Sequence, residues 1–286
     1  MWVQHKEQED IRNGGIKMKL NVYSWNMQGY SDDKMKACLS KVCNQNNVII
    51  FLQEMGNKPD EVERLLLSMG NKLELLTFFT DHQAANFRCS TGVIISKNLK
   101  NYIYANQQFV LKNITTKSKH NAIFGSDDVI YNNCVFAKGF GVNDTYKNER
   151  PLLYFYINGY YLSTKHMIAK STKAIKQTRD DIEYLLSNPI NRYDKVRFVE
   201  NKGFIIIGDF NNPVNNCIGD INNVTCSHSG KATHNSGSIL DYCYHTTNID
   251  LDTLDNGRKV RNIDVADAKG NLLSDHRMIE IFINLY

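Results

Sequence analysis

The chain has 286 residues, of which 42% are hydrophobic and 22% are charged, and this balance excludes a disordered chain, which would have few apolar residues and a high net charge. No apolar run approaches the roughly 18–20 residues that cross a bilayer, so an integral membrane segment is excluded. The net charge of +4 excludes a polycation, and any nucleic acid must therefore be bound by a local basic patch.

The N-terminal segment carries several charges and has no apolar core of the kind found in signal peptides. We expect residues 1–16 to be a disordered lead-in. Residues 17–286 are predicted to form a single domain, because the sequence has only 4 prolines, no repeat and no break in composition. A signal peptide is not visible, so either it has been removed or the protein stays in the compartment where it is synthesised.

Short apolar runs rich in β-branched and aromatic residues predict the strands. Between two of these runs, Asn158-Gly159 is a strong signal for a tight hairpin turn. The predicted strands are 20–25, 48–52, 92–96, 152–157, 160–164, 204–208, 239–244 and 278–283.

Three segments between the strands predict helices. Ser31 precedes apolar residues at spacings of four and three and is a suitable N-cap. Pro59 opens a second segment, which has acidic residues in its first turn and ends at Gly70, as helix termini prefer. The third segment, 169–186, has one apolar face. Strands mixed with helices predict an α/β sandwich with the sheets inside and the helices outside.

The seven cysteines are an odd number, so at least one thiol is left over from intramolecular pairing. Their scatter contains no CxxC pattern of a zinc site. Cys217 and Cys226 share one polar segment, and they are candidates for a disulfide if the protein is exported.

Polar side chains stand at or near the ends of six predicted strand segments, where sheet packing can hold them rigidly beside a ligand. Carboxylate and amide oxygens suit Mg²⁺ or Mn²⁺ better than zinc. Imidazoles can transfer protons or stabilise a developing oxyanion. The residues in these positions are Asn26, Glu54, His166, Asp209, Asn211, Asp241, Asp275 and His276.

Each of these residues, taken singly, also has an ordinary structural explanation. Asp209 could form a turn, and Asp275 could cap the final strand. Glu54 is harder to explain in this way, because it closely follows the apolar run 48–52 and needs a partner if it is buried. The combined pattern is far more specific than any of its members.

The motifs that contain these residues resemble, in the same order, those of the endonuclease/exonuclease/phosphatase superfamily, which includes pancreatic deoxyribonuclease. The resemblance extends from about residue 20 to the C-terminus. It implies an α/β fold that is a four-layer sandwich, with two packed, mostly antiparallel β-sheets flanked by helices. The motifs are 24–29 (SWNMQG), 52–54 (LQE), 163–166 (STKH), 207–211 (IGDFN), 240–242 (LDY) and 274–276 (SDH).

Within that superfamily, the chain is most similar to the nuclease subunits of cytolethal distending toxins. This resemblance implies that Arg150 contacts DNA phosphate and that Arg88, which matches with a one-residue shift, does the same. The segment after Gly29 departs from the family, because it lacks the usual Trp-containing run. The motifs in question are 25–29 (WNMQG), 52–56 (LQEMG), 150–151 (RP) and 236–242 (SGSILDY).

The superfamily resemblance also implies a metal site. Glu54 and Asp275 would be the principal Mg²⁺ ligands, with Asn26 close by, and Mn²⁺ or Ca²⁺ are the alternative ions. Asp209 and Asn211 would orient the attacking water or complete a second metal position.

The same resemblance assigns the histidines. Asp241 would hold His276 in one tautomer, so that His276 acts as general base or as phosphate ligand. His166 would stabilise or protonate the leaving group.

The activity implied is Mg²⁺-dependent nicking of double-stranded DNA with little sequence preference, because such enzymes contact the backbone more than base edges. The toxin resemblance further implies delivery subunits as partners and a secreted protein that acts in the host nucleus. The alternatives are a phosphoinositide phosphatase or another phosphoesterase of the superfamily. Outside the enzymes, the chain could be an inactive binding subunit, although every expected metal ligand is present.

Overall fold

The computed structural model describes residues 17–56, 58–70, 72–79, 90–107, 128–131, 135–138, 152–167, 172–187, 200–219, 221–254 and 257–286. The predicted lead-in at 1–16 lies outside the described residues, and so do Arg88 and Arg150.

The helices begin where the local sequence satisfies their free backbone groups. Ser31 accepts a hydrogen bond from the backbone N–H of Lys34 at 3.2 Å, and Pro59 stands in the first turn of the next helix. The short helix at residues 100–107 was not predicted from the sequence. The helices are α1 (Asp32–Val42), α2 (Pro59–Ser68), α3 (Lys100–Gln107) and α4 (Thr172–Leu186).

The strands form two sheets. The first has the order β12-β14-β1-β2-β4-β3, with β13 also paired to β14, and the second has the order β10-β11-β9-β8-β7-β6-β5. The strands are β1 (Met18–Asn26), β2 (Val48–Gln53), β3 (Leu73–Phe79), β4 (Thr91–Ser96), β5 (Asp128–Tyr131), β6 (Val135–Lys138), β7 (Leu152–Ile157), β8 (Tyr160–His166), β9 (Gly203–Asp209), β10 (Val224–Ser227), β11 (Asp241–Thr246), β12 (Asp250–Leu251), β13 (Arg261–Ile263) and β14 (Met278–Leu285).

Each sheet contains one parallel pair among antiparallel strands. The parallel pairs are β1 with β2 and β8 with β9, and their connections run through α1 and α4 respectively. A parallel pair requires such a crossover, because its second strand must start at the same end as the first.

The hairpin between β7 and β8 turns at Asn158-Gly159, whose φ values of 49° and 94° are both positive, as a tight hairpin turn requires.

The hydrophobic core divides into a central layer and two outer layers. Ile49 and Phe51 of β2 belong to the cluster between the sheets, whereas Val48, Ile50 and Leu52 pack with the helices outside the first sheet. This alternation follows from the two-residue period of a strand. Residues of α1 and α2 cover the first sheet, and residues of α4 cover the second. The predicted four-layer sandwich is therefore confirmed. None of the described helices is long and apolar enough to cross a membrane.

A buried ion pair ties α4 to the strand that ends in His166. Nζ of Lys165 lies 2.8 Å from Oδ2 of Asp181, and both side chains are buried. Neighbouring side chains of a strand point to opposite faces of the sheet. Lys165 therefore points toward α4, and His166 points to the other face. The ion pair thus limits movement of the end of β8.

Candidate active site

The predicted polar residues lie where strand ends of the two sheets meet. Asn26 is opposite Gln53 at the ends of the parallel strands β1 and β2. In the other sheet, Asp209 at the end of β9 is opposite both His166 of β8 and Asp241 of β11. Parallel strands end at the same edge of a sheet, and an antiparallel neighbour starts there. This order of strands therefore brings these side chains together at one edge.

Asp209 is the buried centre of this cluster. Its Oδ2 accepts hydrogen bonds from Nδ2 of Asn26 at 3.0 Å and from Nδ2 of Asn211 at 3.1 Å, and its Oδ1 accepts one from the backbone N–H of Asn211 at 2.8 Å. Burial, and then the charge of Asp241, raise the pKa of Asp209 to about 6. A carboxylate held by several donors keeps a fixed orientation.

His166 lies between two carboxylates. Its Nε2 is 3.4 Å from Oε1 of Glu54 and 3.6 Å from Oδ2 of Asp209. Glu54 has a φ of 54°, which is uncommon for a residue with a side chain, and its carbonyl accepts a hydrogen bond from the backbone N–H of Gly29 at 2.8 Å. The chain turns sharply after β2 and directs Glu54 to His166.

His276 is anchored by Asp241. Nδ1 of His276 donates to Oδ2 of Asp241 at 2.8 Å, because a carboxylate oxygen can only accept. Its Nε2 lies 3.6 Å from Oδ2 of Asp209. Burial alone would lower the pKa of His276, but the hydrogen bond to Asp241 and the surrounding carboxylates raise it to about 9.

Asp275 is held from two directions. The side-chain amide of Gln28 donates to Oδ2 of Asp275, and its carbonyl oxygen accepts from the backbone N–H of Asp275 at 3.2 Å. Nε2 of His234 lies 3.2 Å from the same Oδ2. The other oxygen, Oδ1, is buried and has no hydrogen-bond partner among the described residues, and it lies 3.8 Å from Nε2 of His276.

The sequence assigned no role to Gln28 or His234. Gln28 stands inside the motif at 25–29, so its position next to Asn26 was a usable signal. His234 lies in the segment 228–238, before the predicted strand 239–244, and it belongs to none of the motifs in the sequence.

The residues present fit a divalent cation. One ligand atom each from His234, Asp275 and His276 lie within 4.8 Å of one another, and the same holds for Asp209, Asp241 and His276. The carboxylates are the members of these two groups that a cation could bind, and Glu54 belongs to neither group. The buried Oδ1 of Asp275 is the kind of acceptor that a cation would satisfy.

The segment from Asn26 to Gly29 contains one predicted ligand, Asn26, and contacts the other two, Glu54 and Asp275. Glu54 binds the backbone of Gly29, Asp275 binds the side chain of Gln28, and Oδ1 of Asn26 accepts from the backbone N–H of Gln28 at 3.1 Å. This short segment therefore connects the three residues.

Eight of the ten predicted site residues are thus joined in one network, and the other two, Arg88 and Arg150, lie outside the described residues. The joined residues are Asn26, Glu54, His166, Asp209, Asn211, Asp241, Asp275 and His276.

No protein-family model matches the sequence, and no curated protein matches it. Solved structures do match. TDP2 from C. elegans is 13% identical with a TM-score of 0.53, and the match covers 98% of this chain and 80% of that one. The Haemophilus ducreyi cytolethal distending toxin is 16% identical with a TM-score of 0.52, covering 92% of this chain and 97% of that one.

A third similar structure is D. rerio TDP2 complexed with a single-strand DNA product. It is 15% identical with a TM-score of 0.53, and the match covers 93% of this chain and 99% of that one. At these identities the likeness concerns the backbone architecture, and it extends over 92–98% of this chain and 80–99% of the matched structures. The chain therefore has the endonuclease/exonuclease/phosphatase fold.

Proposed function

We propose that this chain is a divalent-metal-dependent phosphodiesterase that nicks double-stranded DNA with little sequence preference. The observation that carries the proposal is that His166 and His276 both approach the buried Asp209, each with its Nε2 3.6 Å from the same carboxylate oxygen. Two imidazoles beside one buried carboxylate can serve a phosphate oxygen and the leaving oxygen of a phosphodiester.

A cation would be held by Glu54 and Asp275 with Asn26 beside them, and when bound it would neutralise charge on the non-bridging phosphate oxygens. Gln28 orients Asp275, and the carboxylate of Glu54 lies 3.4 Å from Nε2 of His166. The oxygen-rich ligand set favours Mg²⁺, with Mn²⁺ or Ca²⁺ as alternatives.

Asp209 and Asn211 would orient the attacking water. Asp209 is fully buried, and its oxygens already accept three hydrogen bonds from Asn26 and Asn211. A carboxylate fixed in this way can position a water molecule without reorganising during the reaction. The oxygens of Asp209 and Asn211 could instead complete a second metal position.

His276 would act as a phosphate ligand. Its pKa is raised to about 9, so its Nε2 carries a proton at neutral pH and can donate to a phosphate oxygen. Asp241 keeps the ring oriented through Nδ1. His166 would then protonate or stabilise the leaving oxygen.

The biological setting is proposed from the toxin likeness. Similar structures include CdtB, the biologically active subunit of cytolethal distending toxin, at 15% identity and a TM-score of 0.53. By this analogy the chain would be the catalytic subunit of a secreted genotoxin, would be delivered by partner subunits, and would act on DNA in the host nucleus. Arg150 and Arg88 remain the predicted phosphate contacts.

The proposal is tested by plasmid nicking with the purified protein. We expect conversion of supercoiled to open-circular DNA with Mg²⁺, no conversion after chelation, and recovery when Mg²⁺ is restored. Phosphoinositides are assayed in parallel. Phosphate release from phosphoinositides without nicking would replace the DNA substrate with a lipid one, and inactivity on both substrates with Mg²⁺, Mn²⁺ and Ca²⁺ would refute the enzyme assignment.

A further inference from the structure

We infer that His234 is a positioning residue for Asp275, and that it holds one carboxylate oxygen so that the other is presented to a divalent cation. This inference rests on the proposed function, because it concerns the proposed metal ligand Asp275. His234 belongs to none of the motifs that suggested that function.

The backbone fixes His234 next to the site. The N–H of Asn235 donates to the carbonyl of Asp275 at 2.9 Å, and the N–H of Arg277 donates to the carbonyl of Thr233 at 2.7 Å. These bonds pair His234 with His276 as a two-residue antiparallel bridge. The ring of His234 consequently packs edge-on against the ring of His276, with centroids 4.8 Å apart and planes at 64°.

The hydrogen bonds of the ring define which nitrogen can donate. The backbone N–H of Ser236 lies 3.0 Å from Nδ1 of His234, and a backbone N–H can only donate. Nδ1 is therefore the acceptor, and the ring proton is on Nε2. Nε2 then donates to Oδ2 of Asp275, 3.2 Å away.

Two donors thus act on one oxygen of Asp275. Gln28 and His234 both bind Oδ2, while Oδ1 is buried, lacks a hydrogen-bond partner among the described residues and faces Nε2 of His276. A buried carboxylate oxygen without a donor is costly unless something else binds it. Fixing Oδ2 therefore leaves Oδ1 as the oxygen oriented for a cation, and residues that orient a ligand in this way commonly change metal affinity about 10–100-fold.

His228 provides a matched control in the same segment. Its Nδ1 also accepts a hydrogen bond from the backbone N–H two residues later, Gly230, at 3.1 Å. The charge that lowers the pKa of His228, after burial, is that of Arg258 rather than of a carboxylate. His228→Ala thus removes the same kind of side chain and the same local bond without touching Asp275.

The experiment is calorimetric titration of Mn²⁺ into the purified, metal-stripped full chain. We expect His234→Ala to weaken Mn²⁺ binding about tenfold. His234→Gln should restore the affinity to within about threefold, because a glutamine amide nitrogen can reach the position of Nε2 and donate to the same oxygen. His228→Ala should bind as the wild type does. Thermal unfolding of each variant shows that it is folded.

The outcomes separate this inference from the proposed function on which it rests. Loss of Mn²⁺ binding in Asp275→Ala together with wild-type affinity in His234→Ala would overturn the positioning role alone. The positioning role would also be overturned if His234→Gln bound Mn²⁺ as weakly as His234→Ala does. It would be overturned too if His234→Ala raised the KM for DNA without weakening Mn²⁺ binding. Wild-type binding in Asp275→Ala would overturn the metal-ligand assignment and the positioning role together.

Discussion

Nδ2 of Asn26 donates a hydrogen bond to Oδ2 of Asp209 at 3.0 Å, which joins the end of β1 in one sheet to the end of β9 in the other. Both residues are buried. The bond connects the segment that contacts the proposed metal ligands with the carboxylate that both histidines approach.

Asn26→Ala should therefore leave Asp209 buried with one donor fewer. We expect the free energy of unfolding to fall by about 1–3 kcal/mol, the usual cost of depriving a buried polar group of its partner. Urea denaturation at neutral pH measures this change. Asn98→Ala is the control, because Asn98 makes its hydrogen bond to Asn47 at the surface, and equal stability of the two variants would contradict the expectation.

His166→Ala should abolish detectable plasmid nicking, because removal of a positioned proton donor typically costs about 10²–10⁴-fold in rate. The fold should persist, since the end of β8 is also held by the Lys165–Asp181 ion pair. Nicking rates and circular dichroism are compared with those of His228→Ala, which should nick normally. Full activity of folded His166→Ala would remove His166 from the mechanism.

Asp241→Asn should lower the pKa of His276 from about 9, because the hydrogen bond and charge of Asp241 are the main influences that raise it. The ring would then lose its proton at a lower pH and bind phosphate less well at neutral pH. An NMR titration of the His276 ring in the metal-free protein follows this change. An unaltered titration would mean that Asp241 does not control the protonation of His276.

His245 should make the protein sensitive to acid. Burial lowers the pKa of His245 below its ordinary value of 6.5, so the unfolded chain binds the proton more tightly than the folded protein does. The stability contributed by the neutral ring is present above about pH 6.5 and is lost as the pH falls below that value. His245→Gln should therefore show a smaller loss of Tm than the wild type between about pH 7.5 and about pH 5.5. An identical loss in both proteins would exclude His245 as a source of the acid sensitivity.

Arg150→Ala should weaken DNA binding and reduce its dependence on salt. Each phosphate contact removed should lower the slope of log K against log salt by about 0.9. Binding to a fluorescent duplex across a salt series measures the slope, with Arg64→Ala on the exposed face of α2 as the control. A wild-type slope in Arg150→Ala would argue against the phosphate contact.

Local sequence was sufficient for the elements whose signals lie within a few residues. The strand and helix positions follow from two-residue and 3.6-residue periodicity, and the turn at Asn158-Gly159 follows from the conformational preference of those two residues. The predicted strand 239–244 instead begins at Asp241, because the backbone N–H groups of Leu240 and Asp241 donate to Oγ1 of Thr233. The sequence did not predict β3, β5, β6, β10, β12, β13 or α3, and β12 and β13 have too few residues for a periodic signal.

By itself, the sequence placed eight candidate polar residues at or near strand ends, because a strand end is a local feature and the residue types there indicate their chemistry, and the two-sheet architecture was implied by the resemblance of its motifs to a known superfamily. Only the tertiary structure decided which of these side chains touch. Asn26 reaches Asp209 across 183 positions of the chain and His234 reaches Asp275 across 41. Contacts at such separations depend on how the sheets stack and how the segments between strands fold back, and no pattern within either segment encodes them.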